Sequence, residues 1–461
     1  MWRKIIISVL IVAILLIASC VYFSNPPSVG RPGITSDNSE GAIVIYEVYK
    51  FGRKCDCYVQ RISAEGDFLW GEKGILIGSG HKNQPGMLVD LHAVGDGLGG
   101  AIVIWPESLP QPKGKPPYPR YLSKTHVLKV DSEGNIQWQR DIPSIEEAIA
   151  DGSGGAIIIF SDFYEELSVL KIDSEGNSPW GKDGVSLGLH GYSHCGHAAS
   201  DNLGGVIGVQ DITGEDIISA QRVESEGNIL WQRGGVQVFV GCATEPQVAS
   251  DGTGGAIIVY SRLIPSEGTK GCSSYSDPDI YAQRVDAEGN ILWQPDGVPI
   301  CVGPSLVEIP QIVDDGAGGA IIIWRSHLPE WRGAIYAQRI DSRGNILWQE
   351  DGVKVCEGGV NIYPFMVSDS SGGAILIWSH GDEIRGQRLD ATGRKLWGPK
   401  GAVVSFPGRH SPVAISEDGY GGVFISWVAS KFIDDETLSY VQRIDAEGNR
   451  LWGEKGILLN G

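Results

Sequence analysis

Two kinds of tight turn alternate along this chain, eight of each, and that alternation limits the fold more than any other feature. One reads D-x-x-G-G-A-I-I, with its Asp at Asp37, Asp96, Asp151, Asp201, Asp251, Asp315, Asp369 and Asp418; the first copy carries Glu40-Gly41 in place of Gly-Gly. The other centres on E-G-N, with its Gly at Gly66, Gly134, Gly176, Gly227, Gly289, Gly344, Gly393 and Gly448. Four residues after each comes a Trp: Trp70, Trp138, Trp180, Trp231, Trp293, Trp348, Trp397 and Trp452. One unit spans about 54 residues, near the period of propeller repeats.

Within a unit the signals are those of short strands. The fifth copy shows them best: Pro246 to Ser250, Gly255 to Tyr260, Ile280 to Asp286, and a fourth inside Ile291 to Cys301. The second run, G-A-I-I-V-Y, is apolar without alternation, which predicts burial on both faces. No stretch keeps a helical period for three turns, and 64 glycines, about twice the usual share, supply the turns. Four-stranded sheets repeated eight times can close or stack openly; closure removes exposed edges. The expected fold is therefore all-β: an eight-bladed β-propeller of four-stranded antiparallel blades over residues 31–461, blades 1 and 8 meeting without an exchanged strand. Each repeat Trp is expected to pack across a blade boundary.

The N-terminus reads as a targeting segment. A short positive region, Met1-Trp2-Arg3-Lys4, precedes an apolar run, and Ile17-Ala18-Ser19-Cys20 resembles a bacterial lipobox with Cys20 as the lipidated residue. An uncleaved membrane helix over Ile5–Phe23 and ordinary cleaved export are the alternatives. Residues 1–23 are thus a signal, lipoprotein or membrane-anchor segment and 24–30 a tether. All three readings place the remainder outside the cytoplasm, at the cell envelope when anchored.

The segment Leu389–Trp397, L-D-A-T-G-R-K-L-W, resembles the tryptophan-docking motif of PQQ-like propeller repeats: Thr392-Gly393 and Trp397 match in type and spacing. The other copies keep Gly and Trp with Glu, or Arg343, before the Gly. The whole unit resembles repeats of secreted bacterial propellers without a defined activity. In outline it is also similar to the lipid-anchored, eight-bladed, non-enzymatic propeller of the outer-membrane β-barrel assembly machinery. PQQ-dependent dehydrogenases share the ring, but their cofactor site implies an adjacent Cys-Cys pair, and this chain has only Cys55-Asp56-Cys57.

In such a blade the first–second and third–fourth turns share one face, and here they are short and stereotyped. The other connections, such as Glu107 to Lys124, Arg262 to Asp279, His81 to Leu91 and Gly188 to Gly196, vary widely, and recognition usually sits on variable loops. The variable face is the expected binding face, with Tyr118, Tyr121, Tyr164, Tyr192, Tyr275, Trp331 and Tyr363 as contact aromatics for a protein, peptide or glycan. Against that stands simple loop drift. The formal charge of −19 argues against nucleic acid.

Gln-Arg recurs on the third strand at Gln60-Arg61, Gln221-Arg222, Gln283-Arg284, Gln338-Arg339, Gln387-Arg388 and Gln442-Arg443, with Leu128-Lys129 and Leu170-Lys171 in copies two and three. So regular a pair reads as architecture, Arg pairing with the Asp two residues on. D-G-x-G-G turns could bind calcium, although Asp in a turn more often bonds its own backbone. The sharpest break in symmetry is H-G-Y-S-H-C-G-H, where His190, His194, Cys195 and His197 are eligible zinc or copper ligands, or simply a loop. Exported cysteines can pair, Cys242 with Cys272 being the favoured bridge. No catalytic residue stands out. The primary reading is a non-enzymatic binding propeller. The alternatives are a carbohydrate-active hydrolase or lyase using the central funnel, and a metal- or quinone-dependent oxidoreductase.

Overall fold

The computed structural model describes residues 32–50, 54–81, 91–108, 123–142, 145–161, 167–189, 196–212, 216–263, 278–303, 306–327, 333–357, 364–408, 410–430 and 437–459. These form eight antiparallel sheets, each made of four strands consecutive in the chain. Blade 5 is representative, with strands Ala243–Ser250, Ala256–Arg262, Asp279–Val285 and Val298–Cys301. The first strand is innermost: first strands of successive blades meet around an axis, and that of blade 1, Gly33–Ser36, meets that of blade 8, His410–Glu417. The ring closes without strand exchange, since Gly33–Ser36 pairs only within its own sheet.

The unbroken apolar second strands explain the closure. In blade 5, Ala256, Ile258 and Tyr260 pack with Ile207 and Val209 of blade 4, whereas Ile257 and Val259 pack with Ala320, Ile322 and Trp324 of blade 6. Successive side chains of a strand point to opposite faces, so one apolar run serves two boundaries. The same alternation closes the ring, where Ala42, Val44 and Tyr46 of blade 1 pack on Phe424, Val441 and Trp452 of blade 8.

The fourth strand lies inside the stretch Ile291 to Cys301, at its end. Ile291 makes only a single bridge to Val285 before the chain turns at Gly297 and resumes at Val298. That interruption frees Trp293 from the ladder and lets it swing to the next blade. Blade 2 differs: its fourth strand runs unbroken from Ile136 to Ile142, with Trp138 inside it.

Candidate functional site

The repeated polar residues build one structural device eight times. Each Trp Nε1 donates to a backbone carbonyl of the next blade: Trp70 to Ser132, Trp138 to Ser174, Trp180 to Ser225, Trp231 to Ala287, Trp293 to Ser342, Trp348 to Ala391, Trp397 to Ala446, and Trp452 to Ala64 across the closure. The E-G-N glycine is the seat. Gly289 has φ +89°, and a Cβ there would lie 2.9 Å from Trp231 Cδ1, so both backbone conformation and close approach require glycine. The Gln of Gln-Arg holds the Trp strand: Gln283 Oε1 accepts from Trp293 N at 3.1 Å, and its Nε2 donates to Gln294 O at 2.8 Å.

The Arg partner differs from the expectation. Arg61, Arg222, Arg284, Arg339, Arg388 and Arg443 pair with Asp37, Asp201, Asp251, Asp315, Asp369 and Asp418, the aspartates of the D-x-x-G-G turns, at 2.8–3.0 Å. The Asp two residues after the Arg is engaged elsewhere; Asp286, for instance, accepts from the amides of Glu288 and Asn290 in its own turn. The buried Asp251 accepts from Thr253 N and Gly255 N on Oδ1 and from Arg284 on Oδ2. Burial alone would raise its carboxyl, but these bonds outweigh burial and hold it below the ordinary value. The oxygens a calcium ion would need in these turns are the ones already accepting hydrogen bonds.

What is not repeated lies on the axis. The fourth residue of every second strand pairs with one position of the first strand, giving an equivalent ring: Gly33, His92, Glu147, His197, Gln247, Gln311, Phe365 and Ala414. The five members from blades 2–6 are polar, and those of blades 7, 8 and 1 are apolar or glycine. The ring stands at the loop-face end of the short first strands His92–Gly95, Glu147–Ala150 and Phe365–Ser368. Its members reach toward the next blade: Gln311 Nε2 donates to Pro364 O at 2.7 Å, and Glu147 Oε2 accepts from Ala198 N at 3.4 Å.

His197, the one member of the His/Cys cluster among the described residues, has its Nδ1 3.9 Å from Glu147 Oε2. Their side chains keep 37% and 36% of their surface open to the channel, but the surrounding strands still exclude much of the water. Burial pushes Glu147 up to about 7, opposed by the Ala198 amide and helped by the charge of Glu146. Burial pushes His197 down to about 4. Those directions are opposite to those of an ion pair, so the two meet at neutral pH with His197 uncharged and Glu147 close to half protonated. His190, His194 and Cys195 lie outside the described residues, as do Cys20 and all seven proposed contact aromatics, Tyr118, Tyr121, Tyr164, Tyr192, Tyr275, Trp331 and Tyr363. Among the described residues no three His, Cys, Asp or Glu side chains cluster as a metal site. Cys242 is disulfide-bonded; its expected partner, Cys272, is outside the described residues. Burial pushes the thiols of Cys301 and Cys356 up to about 11, which keeps both protonated at neutral pH.

Glu147 and the ring carry no sequence motif. The signal that would find them is register: counted back from each D-x-x-G-G turn, the ring position is the fourth residue before the Asp in all eight blades.

No family model matches the chain, and no curated protein is similar to it in sequence. Among solved structures it is similar to a polysaccharide lyase of family PL25, an ulvan lyase bound to -[GlcA(1-4)Rha3S]-, with a TM-score of 0.51 at 12% identity over 92% of this chain and 95% of that one. It is also similar to the Dos1 propeller, with a TM-score of 0.47 at 10% identity over 95% and 99% of the two chains. A third is the β-propeller domain of the trilobed protease from Pyrococcus furiosus, with a TM-score of 0.43 at 10% identity over 78% and 93%. At these identities the likeness is one of fold, and no family match supports the resemblance to PQQ-like repeats.

Proposed function

We propose that this chain is a non-enzymatic binding propeller, held at the cell envelope by its N-terminal segment, that takes a protein, peptide or glycan across its variable face with the channel mouth at the centre. The kinship with PQQ-like repeats and with the propeller of the β-barrel assembly machinery belongs to this reading. The observation that carries it is the ring: five polar side chains on one arc and Phe365, Ala414 and Gly33 on the other, at a position where the scaffold demands no particular residue. An amphipathic mouth suits a ligand with an apolar and a hydrogen-bonding side. The full chain in detergent, screened on peptide and glycan arrays, should give hits that His92→Ala and Gln247→Ala each weaken about tenfold, or 1.4 kcal/mol. Hits indifferent to both substitutions would overturn the reading.

Glu147 favours a second reading, a carbohydrate-active lyase or hydrolase, which the similarity to a polysaccharide lyase supports. A carboxyl near 7 suits general-base work at neutral pH. A glycosidase needs two carboxylates about 5–9.5 Å apart, and the ring supplies one. It also holds no Arg or Lys to neutralise a uronate. For those reasons binding stands first. Ultraviolet-absorbing unsaturated uronate released from an acidic polysaccharide, and lost in Glu147→Gln, would reverse that order.

A further inference from the structure

On the turn face, far from the ring, one blade boundary is unlike the rest. At five boundaries a single backbone carbonyl accepts two bonds from the preceding blade, one from an Arg Nη1 and one from a Trp Nε1. Ser342 O, for example, accepts from Arg284 at 2.8 Å and from Trp293 at 3.3 Å. Between blades 2 and 3 the Arg is replaced by Lys129. Its shorter side chain stops at Gly154 O, 3.3 Å away, and at Asp96, 3.5 Å away, so Ser174 O receives Trp138 Nε1 at 3.0 Å and no cation. Here the boundary opens into a cleft of about 490 Å³, walled by Trp138, Ser174, Gln137 and Glu175 and floored by Lys129 and Asp96. Blade 3 also has Lys, but there Lys171 Nζ lies 5.7 Å over the Trp180 ring, and that indole is 7% exposed. In blade 2 the unbroken fourth strand sets Trp138 directly opposite Lys129 and leaves the indole partly exposed.

We propose that this cleft is a binding subsite for a neutral oligosaccharide, and the inference does not depend on how the loop face is read. Its chemistry is that of sugar recognition. An indole offers an apolar platform for the C–H face of a pyranose. The open lone pair of Ser174 O, the Gln137 amide and the Glu175 carboxylate offer acceptors and donors to hydroxyl groups around it. Asp96, Asp131 and Glu175 outnumber the cations there, Lys129 on the floor and Arg140, whose Nη1 donates to Gly176 O at 2.9 Å, so the site is acidic and disfavours uronates and sulfated sugars.

Isothermal titration of the full chain in a detergent without a sugar headgroup tests this, using cellotetraose, xylotetraose and mannotetraose with tetragalacturonate as the anionic comparator. At least one neutral tetrasaccharide should bind with a Kd of about a millimolar or tighter, and tetragalacturonate at least about tenfold more weakly. Trp138→Ala should lose at least about tenfold in affinity. The sharper variant is Lys129→Arg, which restores the residue of six other blades: the guanidinium should reach Ser174 O, occupy the acceptor the sugar would use and weaken binding at least about tenfold while keeping or raising the melting temperature. Lys171→Arg should bind as the wild type does. No neutral tetrasaccharide binding, equal affinity for tetragalacturonate, or full affinity in Lys129→Arg would each overturn the proposal. Because Lys129→Arg recreates a boundary the fold already tolerates, it decides the matter even if Trp138→Ala fails to fold.

Discussion

The turn-face belt and the channel ring are built from the same eight blades, yet they follow opposite rules. In the belt, a Trp of each blade reaches the next, and every described third strand places Arg or Lys against the turn Asp. In the ring, equivalent positions hold Gly, His, Glu, Gln, Phe and Ala. A position that must satisfy a neighbour's backbone has one solution and repeats it. A position facing the channel is free of that demand and can differ from blade to blade. Repetition therefore marks the scaffold, and its failure marks where a ligand could select residues. The cleft at Lys129 extends the rule to the belt itself, where the departures from Arg are in blades 2 and 3.

The contrast predicts a large stability gap between the two regions. Asp201 is fully buried, accepts from Leu203 N and Gly205 N, and pairs with Arg222, itself 6% exposed. Asp201→Ala removes one partner of a buried pair and strands the other, a loss of about 3–5 kcal/mol. A ring substitution such as Gln247→Ala, at a half-buried position with no such partner to strand, should stay within about 1 kcal/mol. Urea unfolding of both variants measures the gap; equal losses would break the distinction between scaffold and site.

The next effect in size lies within the belt. Trp231 is 4% exposed and packs with Val236, Tyr260 and Val285, so Trp231→Ala should cost about 3–5 kcal/mol. Trp138, partly exposed at its cleft, should cost less, because less apolar surface returns to water. If denaturation midpoints place Trp138→Ala at or below Trp231→Ala, the cleft is not the open boundary described here.

These differences also explain what could be read from the sequence. Gly289 and Trp231 were legible because the fold needs them at invariant spacing, and their counterparts make that spacing visible eight times over. The partner of Arg284 was not. Strand period places Asp286 on the same face, but only the hairpin geometry shows that Asp286 is spent on its own turn while Asp251, 33 residues upstream, lies against the guanidinium. Glu147 was hidden more deeply. Its neighbours Ile145, Glu146 and Ala148 form no motif, and its meaning comes from standing beside His197, fifty residues away, on the next blade's first strand. Lys129 stands in the sequence as a variant of the Gln-Arg pair, but Lys for Arg reads as a conservative change, and only the structure shows the carbonyl that the shorter side chain does not reach.

The smallest effect distinguishes the ring from the belt by pH. Glu147, raised to about 7 from 4.5, holds its proton more tightly in the folded state, so stability declines as pH rises from about 4.5 to 7. His197, lowered to about 4 from 6.5, binds protons less readily when folded, so stability increases as pH rises from about 4 to 6.5. In the wild type the two slopes oppose each other between about 4.5 and 6.5. Glu147→Gln removes only the first. Relative to wild type, the variant should therefore gain stability steadily from pH 4.5 to 7 and hold that gain above it. The belt carboxylates titrate alike in both proteins and cancel in the difference, and because both ring side chains are a third exposed, solvent screening keeps the gain modest. Melting curves of the two proteins across that range would show it. A difference that is flat, or that falls with pH, would mean Glu147 is solvated like a surface carboxylate, and with it the channel mouth would lose its claim to be a site distinct from the rest of the surface.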